Sequence, residues 1–191
     1  MNHGKLVLVL GGSRSGKSQF AESLAHQRGN KILYLATAAV YDEEMARRVQ
    51  VHRERRPAIW DTREETLHVI EAVEESANRY DVLLLDCLTL WLTNLLLNDD
   101  AVPGSGTPWP DKEKYMLNLV GQLAITCQGR SSSVIVVSNE VGLGLVPDNP
   151  LGRAFREVAG AANQLMAQYA DEVYFVAAGL PIELKSRAST I

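Results

Sequence analysis

The sequence predicts a three-layer α/β sandwich: a largely parallel sheet of at least five strands with helices on both faces. Three observations predict it. Short, nearly continuous aliphatic runs alternate with longer amphipathic segments. A glycine-rich turn joins the first run to the first amphipathic segment. The chain, 191 residues with 46% hydrophobic and 22% charged side chains, has the size and balance of one globular unit. Residues 1–191 therefore read as a single domain, with no internal repeat and no biased tract.

The strands are Lys5 to Leu10, Lys31 to Ala36, Asp81 to Asp86, Ser133 to Ser138 and Glu172 to Ala177. Their runs lack polar alternation, as expected of strands covered on both faces. Helical patterns fill the intervals at about 17–28, 42–55, 64–78, 89–98, 111–128 and 151–169. In the last, Leu151, Phe155, Val158, Ala162, Leu165, Met166 and Tyr169 recur three and four apart and form one apolar stripe. Pro57 closes the second helix, and Thr62 with Glu65 three residues later reads as a capping box opening the third. Asp99 to Pro110, with three prolines and two glycines, predicts an exposed loop. Glu140 to Pro150 is a second glycine-rich loop, after the fourth strand, at the edge where open α/β sheets place ligands.

A net charge of −4 gives no global attraction to nucleic acid or to an anionic membrane, so any anion must be held by a local cluster and the partner is small. Cys87 and Cys127 lie far apart in apolar stretches, which fits buried reduced thiols and a cytoplasmic setting. The N-terminal run shows no signal-peptide pattern. Val82 to Leu97 is interrupted by Asp86 and falls short of the roughly 20 residues a spanning helix needs, so no membrane anchor is expected.

The strongest chemical signal is Gly11-Gly12-Ser13-Arg14-Ser15-Gly16-Lys17-Ser18. It satisfies the P-loop pattern G-x-x-x-x-G-K-[ST] between a strand and a helix, and places the chain in the P-loop NTPase class, RecA-like in arrangement. The glycines let successive amides turn toward a phosphate, and the helix N-terminus adds its partial positive charge. Lys17 reaches for the β- and γ-phosphates, and Ser18 offers a hydroxyl to Mg²⁺. Asp86, ending the third strand, either anchors the same Mg²⁺ or caps the next helix near Thr89.

The segment Asp42 to Pro57 runs from acids to arginines, matching a helix dipole. His52 shares a face with Met45 and Val49 and is flanked at helical spacing by Arg48, Arg55 and Arg56. Like-charge repulsion favours a neutral, nucleophilic imidazole there, and the arginines suit phosphates; the alternative is a solvated helix with an incidental histidine. His3, His26 and His68 lack such surroundings.

Taken in order, GGSRSGKS, LATAAVYDEEMARRVQVHRERRP, LLLDCLTLWLTNLL, VVSNEVGLGLVP and RAFREVAGAANQLMA resemble the bifunctional adenosylcobinamide kinase / adenosylcobinamide-phosphate guanylyltransferase family of cobalamin biosynthesis, from Leu6 to about Ala177. The resemblance implies two reactions: phosphorylation of adenosylcobinamide by ATP or GTP, then transfer of GMP from GTP through a GMP-histidine intermediate. It implies that Gly11 to Ser18 hold phosphates, that Ala36, Thr37 and Ala38 line the GTP site, and that His52 is the nucleophile. Arg53, Glu54 and Arg55 would lie at the nucleotide, with Glu64 and Asp86 at nucleotide or metal. Some members carry two adjacent histidines, whereas Val51 precedes His52 here. The resemblance also suggests a homotrimer. Glu140 either orients an attacking hydroxyl or holds its loop, and Trp60, Trp91 and Trp109 either cover a corrinoid ring or pack. The competing readings are a P-loop kinase of another small metabolite and a RecA-like ATPase module. The acidic balance argues against a nucleic-acid partner.

Overall fold

The computed structural model describes residues 4–39, 43, 47, 57–98 and 107–189. Its elements are β1 (Leu6–Gly11), α1 (Lys17–Arg28), β2 (Ile32–Ala36), β3 (Asp61–Glu64), α2 (Val69–Ser76), β4 (Val82–Asp86), α3 (Leu88–Asn98), α4 (Trp109–Cys127), β5 (Ser133–Asn139), α5 (Pro150–Tyr169), β6 (Glu172–Ala177), β7 (Leu180–Glu183) and a closing 3₁₀ turn (Lys185–Arg187). The strands form one sheet in the order β3-β2-β4-β5-β1-β6-β7. Every neighbouring pair is parallel except β6 with β7.

The aliphatic runs become the inner strands because both sides of the sheet are covered. Leu6, Leu8, Leu10, Leu33, Leu35, Leu83, Leu85, Val134 and Val136 point to one face and pack against α2 to α5. The alternate residues Val7, Val9, Tyr34, Ala36, Val82, Leu84, Ile135 and Val137 point to the other and receive Ala21, Leu24 and Ala25 of α1. Each wholly buried leucine, such as Leu8, contributes about 1.5–3 kcal/mol relative to exposure. The apolar stripe of α5 is real at Val158, Ala162 and Met166, which are fully buried; Asn149 caps this helix by accepting the N–H of Gly152 at 2.7 Å. Both cysteines are buried and unpaired, as expected. Among the described residues, no helix is long and apolar enough to cross a membrane.

Two sequence expectations are corrected. A helix over 64–78 does not start at residue 64: residues 61–64 are β3, paired with β2 in the register Tyr34↔Thr62 and Ala36↔Glu64, and α2 opens only at Val69. Thr62 is thus a strand residue and caps nothing. Glu65 instead accepts the N–H groups of Leu67 at 3.1 Å and His68 at 3.0 Å. Partial burial pushes the Glu65 carboxyl up, but those amides outweigh it and leave the group below its ordinary value. The second correction is β7, which the sequence reading omitted. It forms the edge hairpin with β6 through a two-residue turn in which Ala178 (φ 51°) and Gly179 (φ 79°) are both left-handed, the backbone twist such hairpins favour. The proline-rich loop lies largely outside the described residues; its last residues, Trp109 and Pro110, already belong to α4.

Candidate active site

Because β1 to β6 run parallel, their carboxyl ends collect at one edge: Gly11, Ala36, Glu64, Asp86 and Asn139 end neighbouring strands there. This is the edge at which doubly wound sheets bind ligands. The turn after β1 is shaped by its own backbone. Arg14 (φ 57°) and Gly16 (φ 95°) take left-handed conformations, Ser15 N–H donates to the Gly12 carbonyl at 3.3 Å, and the Phe20 N–H returns to the Gly16 carbonyl at 3.0 Å. Close neighbours leave no room for side chains at two positions. A Cβ on Gly11 would stand 2.4 Å from Ser15 Oγ and 2.7 Å from the Val176 carbonyl oxygen, and one on Gly16 would stand 3.1 Å from Gly179 Cα. At Gly12, by contrast, a Cβ would meet nothing within 4 Å, so the turn borders open space there.

Two further observations fit this hollow to an anion. Lys17 Nζ folds over it and donates to the Gly12 carbonyl at 3.2 Å, and Ser15 Oγ is buried without a hydrogen-bond partner. The hairpin turn braces the loop from behind: Gly179 N–H donates to the Ser15 carbonyl at 2.8 Å. That bond points the Ser15 carbonyl away from the hollow.

The acidic side of the site comes from β4. Asp86 lies on the same face of the sheet as Tyr34, Ala36 and Leu84, with Ala36 its neighbour in register on β2, and that is the face α1 covers. Its carboxylate accepts the phenol O–H of Tyr34 at 2.7 Å; the Thr89 hydroxyl near it instead accepts from Asn139 Nδ2 at 2.7 Å. Burial pushes the adjacent Cys87 thiol up to about 11, the Asp86 charge adding to the shift and the Lys17 charge opposing it. Lys17, opening α1, and Asp86, ending β4, therefore stand at the same edge of the sheet, both close enough to act on Cys87. Among the described residues no cluster of three or more His, Cys, Asp or Glu could hold a metal by itself. That donor set suits Mg²⁺ held by one carboxylate, a hydroxyl and nucleotide phosphates, and does not suit a metal needing an all-protein cage.

The remaining expected residues are placed as follows. Thr37 is wholly buried; its hydroxyl donates to the Cys87 carbonyl and accepts the Cys87 N–H, both at 2.7 Å, pinning β2 to β4 at the site's floor. Ala36 is buried and Ala38 half-buried beside it, Ser18 is half-buried at the start of α1, Ser13 and Arg14 are exposed on the turn, and Glu64 is exposed at the end of β3. Asn94 Nδ2 ties the Thr37 carbonyl (2.7 Å) to the Thr66 carbonyl (3.1 Å), so α3 sets the strand ends. The Glu140 N–H donates to the Gly11 carbonyl at 3.0 Å, and its Oε1 accepts the Gly142 N–H at 2.5 Å, which holds the second glycine-rich loop against the first. Arg156 clamps the same loop through the Gly142 carbonyl. Trp60 and Trp91 are packed in the core, Trp91 donating to the Leu67 carbonyl at 2.9 Å, and Trp109 packs against the core from the start of α4. His52, with Val51, Arg53, Glu54, Arg55 and the rest of the expected nucleophile face, lies outside the described residues. Sequence reasoning missed Tyr34, Asn94, Asn139 and Gly179, whose parts depend on strand order rather than on any local pattern.

A parallel sheet with a phosphate-shaped turn after β1 and an acidic strand end at the same edge as its lysine defines a nucleotide-binding P-loop protein. The fold agrees with solved ATPases of type III secretion systems. One prototypical enzyme superposes with a TM-score of 0.58 at 12% identity over 100% of this chain, and the assembled EscN ATPase of enteropathogenic E. coli with 0.52 at 13% over 98%. This chain spans 60% and 50% of their lengths, so the likeness concerns the fold alone. Within the P-loop proteins, the chain belongs to the cobinamide kinase / cobinamide phosphate guanyltransferase family, whose model matches residues 7–184. It is 46% identical over 178 residues to the bifunctional adenosylcobalamin biosynthesis protein CobP of Pseudomonas aeruginosa, covering 93% of this chain and 96% of that one. With the corresponding CobU protein of Escherichia coli it is 39% identical over 186 residues, covering 94% and 99%.

Proposed function

We propose that this protein phosphorylates adenosylcobinamide with ATP or GTP and then transfers GMP from GTP to the product, giving adenosylcobinamide-GDP and pyrophosphate. The observation that carries the reading is the preformed hollow of Gly11 to Ser18, at the same sheet edge as Asp86, in a chain of this family. In the kinase step the acceptor hydroxyl attacks the γ-phosphorus, the bond to the β–γ bridging oxygen breaks, and the hydroxyl proton is lost. The protein's part is mostly positioning and charge neutralisation. The amides of the turn hold the β- and γ-phosphates, and Lys17, released from the Gly12 carbonyl, balances the charge that develops between them. Ser18 and Asp86 would hold Mg²⁺, which neutralises phosphate oxygens when bound. Glu64, Ala36, Thr37 and Ala38 frame the neighbouring edge.

In the transferase step the neutral His52 imidazole attacks the α-phosphorus and pyrophosphate leaves. The acceptor phosphate then displaces the histidine, so one hard displacement becomes two easier ones. Arg53, Glu54 and Arg55 accompany the nucleotide in this proposal. A homotrimer in the cytoplasm completes it, the first on family resemblance, the second on composition; light scattering would then give about three times the 21.0 kDa chain mass. The decisive experiment supplies GTP labelled in the α-phosphate. Acid-labile label on the protein, lost in His52→Ala, is the expected result; label persisting in that variant removes His52 from the mechanism. Adenosylcobinamide with GTP should also release pyrophosphate, which a simple kinase would not.

A further inference from the structure

Asp86 is not oriented by its own strand alone. Ala36 is its partner in register on β2, and Tyr34 lies two residues earlier on the same face, a step of about 6.6 Å along a strand. The tyrosine ring spans that step, and its hydroxyl donates to Asp86 Oδ2 at 2.7 Å. The ring is only 2% exposed, packed in the core layer beneath α1 with Val82, Leu84 and Ala36, so the hydroxyl is a fixed point while the carboxylate is half-buried at the mouth of the site.

We propose that Tyr34 is the positioning residue of the cation site: by engaging Oδ2 it holds the Asp86 carboxylate so that Oδ1 is presented toward the nucleotide's Mg²⁺. This rests on Asp86 being the cation's anchor. A neutral donor suits the task. A lysine or arginine in its place would offset the carboxylate's charge and compete with the cation, whereas a phenol fixes the group and leaves the full negative charge for the metal. Outer partners of this kind typically change metal affinity 10–100-fold when removed.

The test uses Mn²⁺ as a paramagnetic probe, titrated by electron paramagnetic resonance into the full chain carrying a non-hydrolysable GTP analogue. Tyr34→Phe keeps the ring and deletes only the donor; it should weaken Mn²⁺ binding about 10-fold, with affinity for the analogue in EDTA unchanged. Mn²⁺ affinity within twofold of wild type in Tyr34→Phe, when Asp86→Asn weakens it strongly, overturns the positioning role and leaves Asp86 as the anchor. If Asp86→Asn is itself without effect, the anchor assignment and this inference fall together. Equal loss of analogue binding in EDTA in Tyr34→Phe would reveal a packing role and also overturn the proposal.

Discussion

Two glycine-rich loops lie side by side at the carboxyl edge, and glycine means something different in each. In the turn after β1 it is a geometric requirement: Gly16 sits at φ 95°, and Gly11 and Gly16 face atoms that a side chain would strike. In the loop between β5 and α5 neither Gly142 nor Gly144 takes a left-handed conformation; a Cβ on Gly142 would meet the Glu140 side chain at 2.8 Å, which can swing aside, and one on Gly144 nothing nearer than the Val141 carbonyl at 3.7 Å. The first loop has its peptide groups fixed by the Gly12, Gly16 and Ser15 carbonyls. The second depends on side chains, Glu140, Arg153 and Arg156 among them, and turns Leu143, Leu145 and Val146 outward at 80%, 96% and 65% exposure. Backbone geometry thus shapes one loop, whereas side chains hold the other and leave its apolar residues exposed.

The contrast can be broken by substitution, beginning with the largest effect. Lys17→Ala should lower the kinase kcat by roughly 10²–10³-fold, the scale for removing one charge-stabilising donor, while thermal unfolding stays near wild type because, among the described residues, the amine's hydrogen bond is to a partly exposed carbonyl. Gly11→Ala should cost about 1–3 kcal/mol, since the Val176 carbonyl oxygen is backbone and cannot swing aside. Calorimetry would register a Tm lower by about 2–12 °C, and equilibrium titration a weaker affinity for GTP.

Glu140 sharpens the comparison further. Its carboxylate is engaged by its own loop, so Glu140→Gln, which keeps the acceptor, should hold kcat within about threefold, against the 10²–10⁴-fold loss that removing a general base would bring. Glu140→Ala should lose about 1.5–3 kcal/mol of stability in chemical denaturation. The smallest effect belongs to Gly144→Ala: within about 0.5 kcal/mol of wild type, with kinase activity intact. A large loss there would mean that the second loop's backbone, too, is under geometric constraint.

What the sequence disclosed follows the same division. The inner strands were legible because β1, β2, β4 and β5 are buried on both faces and so are mostly aliphatic, and β6, though only half-buried, keeps a continuous apolar run from Val173 to Ala177. The two edges were not. β3 reads Asp-Thr-Arg-Glu and is largely exposed, so no hydrophobic period marks it, and Thr62 and Glu65 imitate a helix start. β7 carries Pro181, which an edge tolerates and a pattern search rejects. At the site, the P-loop was legible because its function resides in glycines and one lysine adjacent in sequence. The Tyr34–Asp86 and Gly179–Ser15 bonds were hidden, because they link residues that only the strand order brings together.

That strand order has a consequence for the making of the protein. β1 is flanked by two strands made long after it: Lys5 N–H donates to Ser133 Oγ across 128 residues, and Leu6 N–H to Asp171 Oδ2 across 165. Neither side of β1 can be closed until most of the polypeptide has been translated, and the peptide bracing Ser15 arrives later still. Contacts this distant are entropically slow to form, so the nascent glycine-rich turn waits, with its aliphatic strand uncovered, for strands translated long after it.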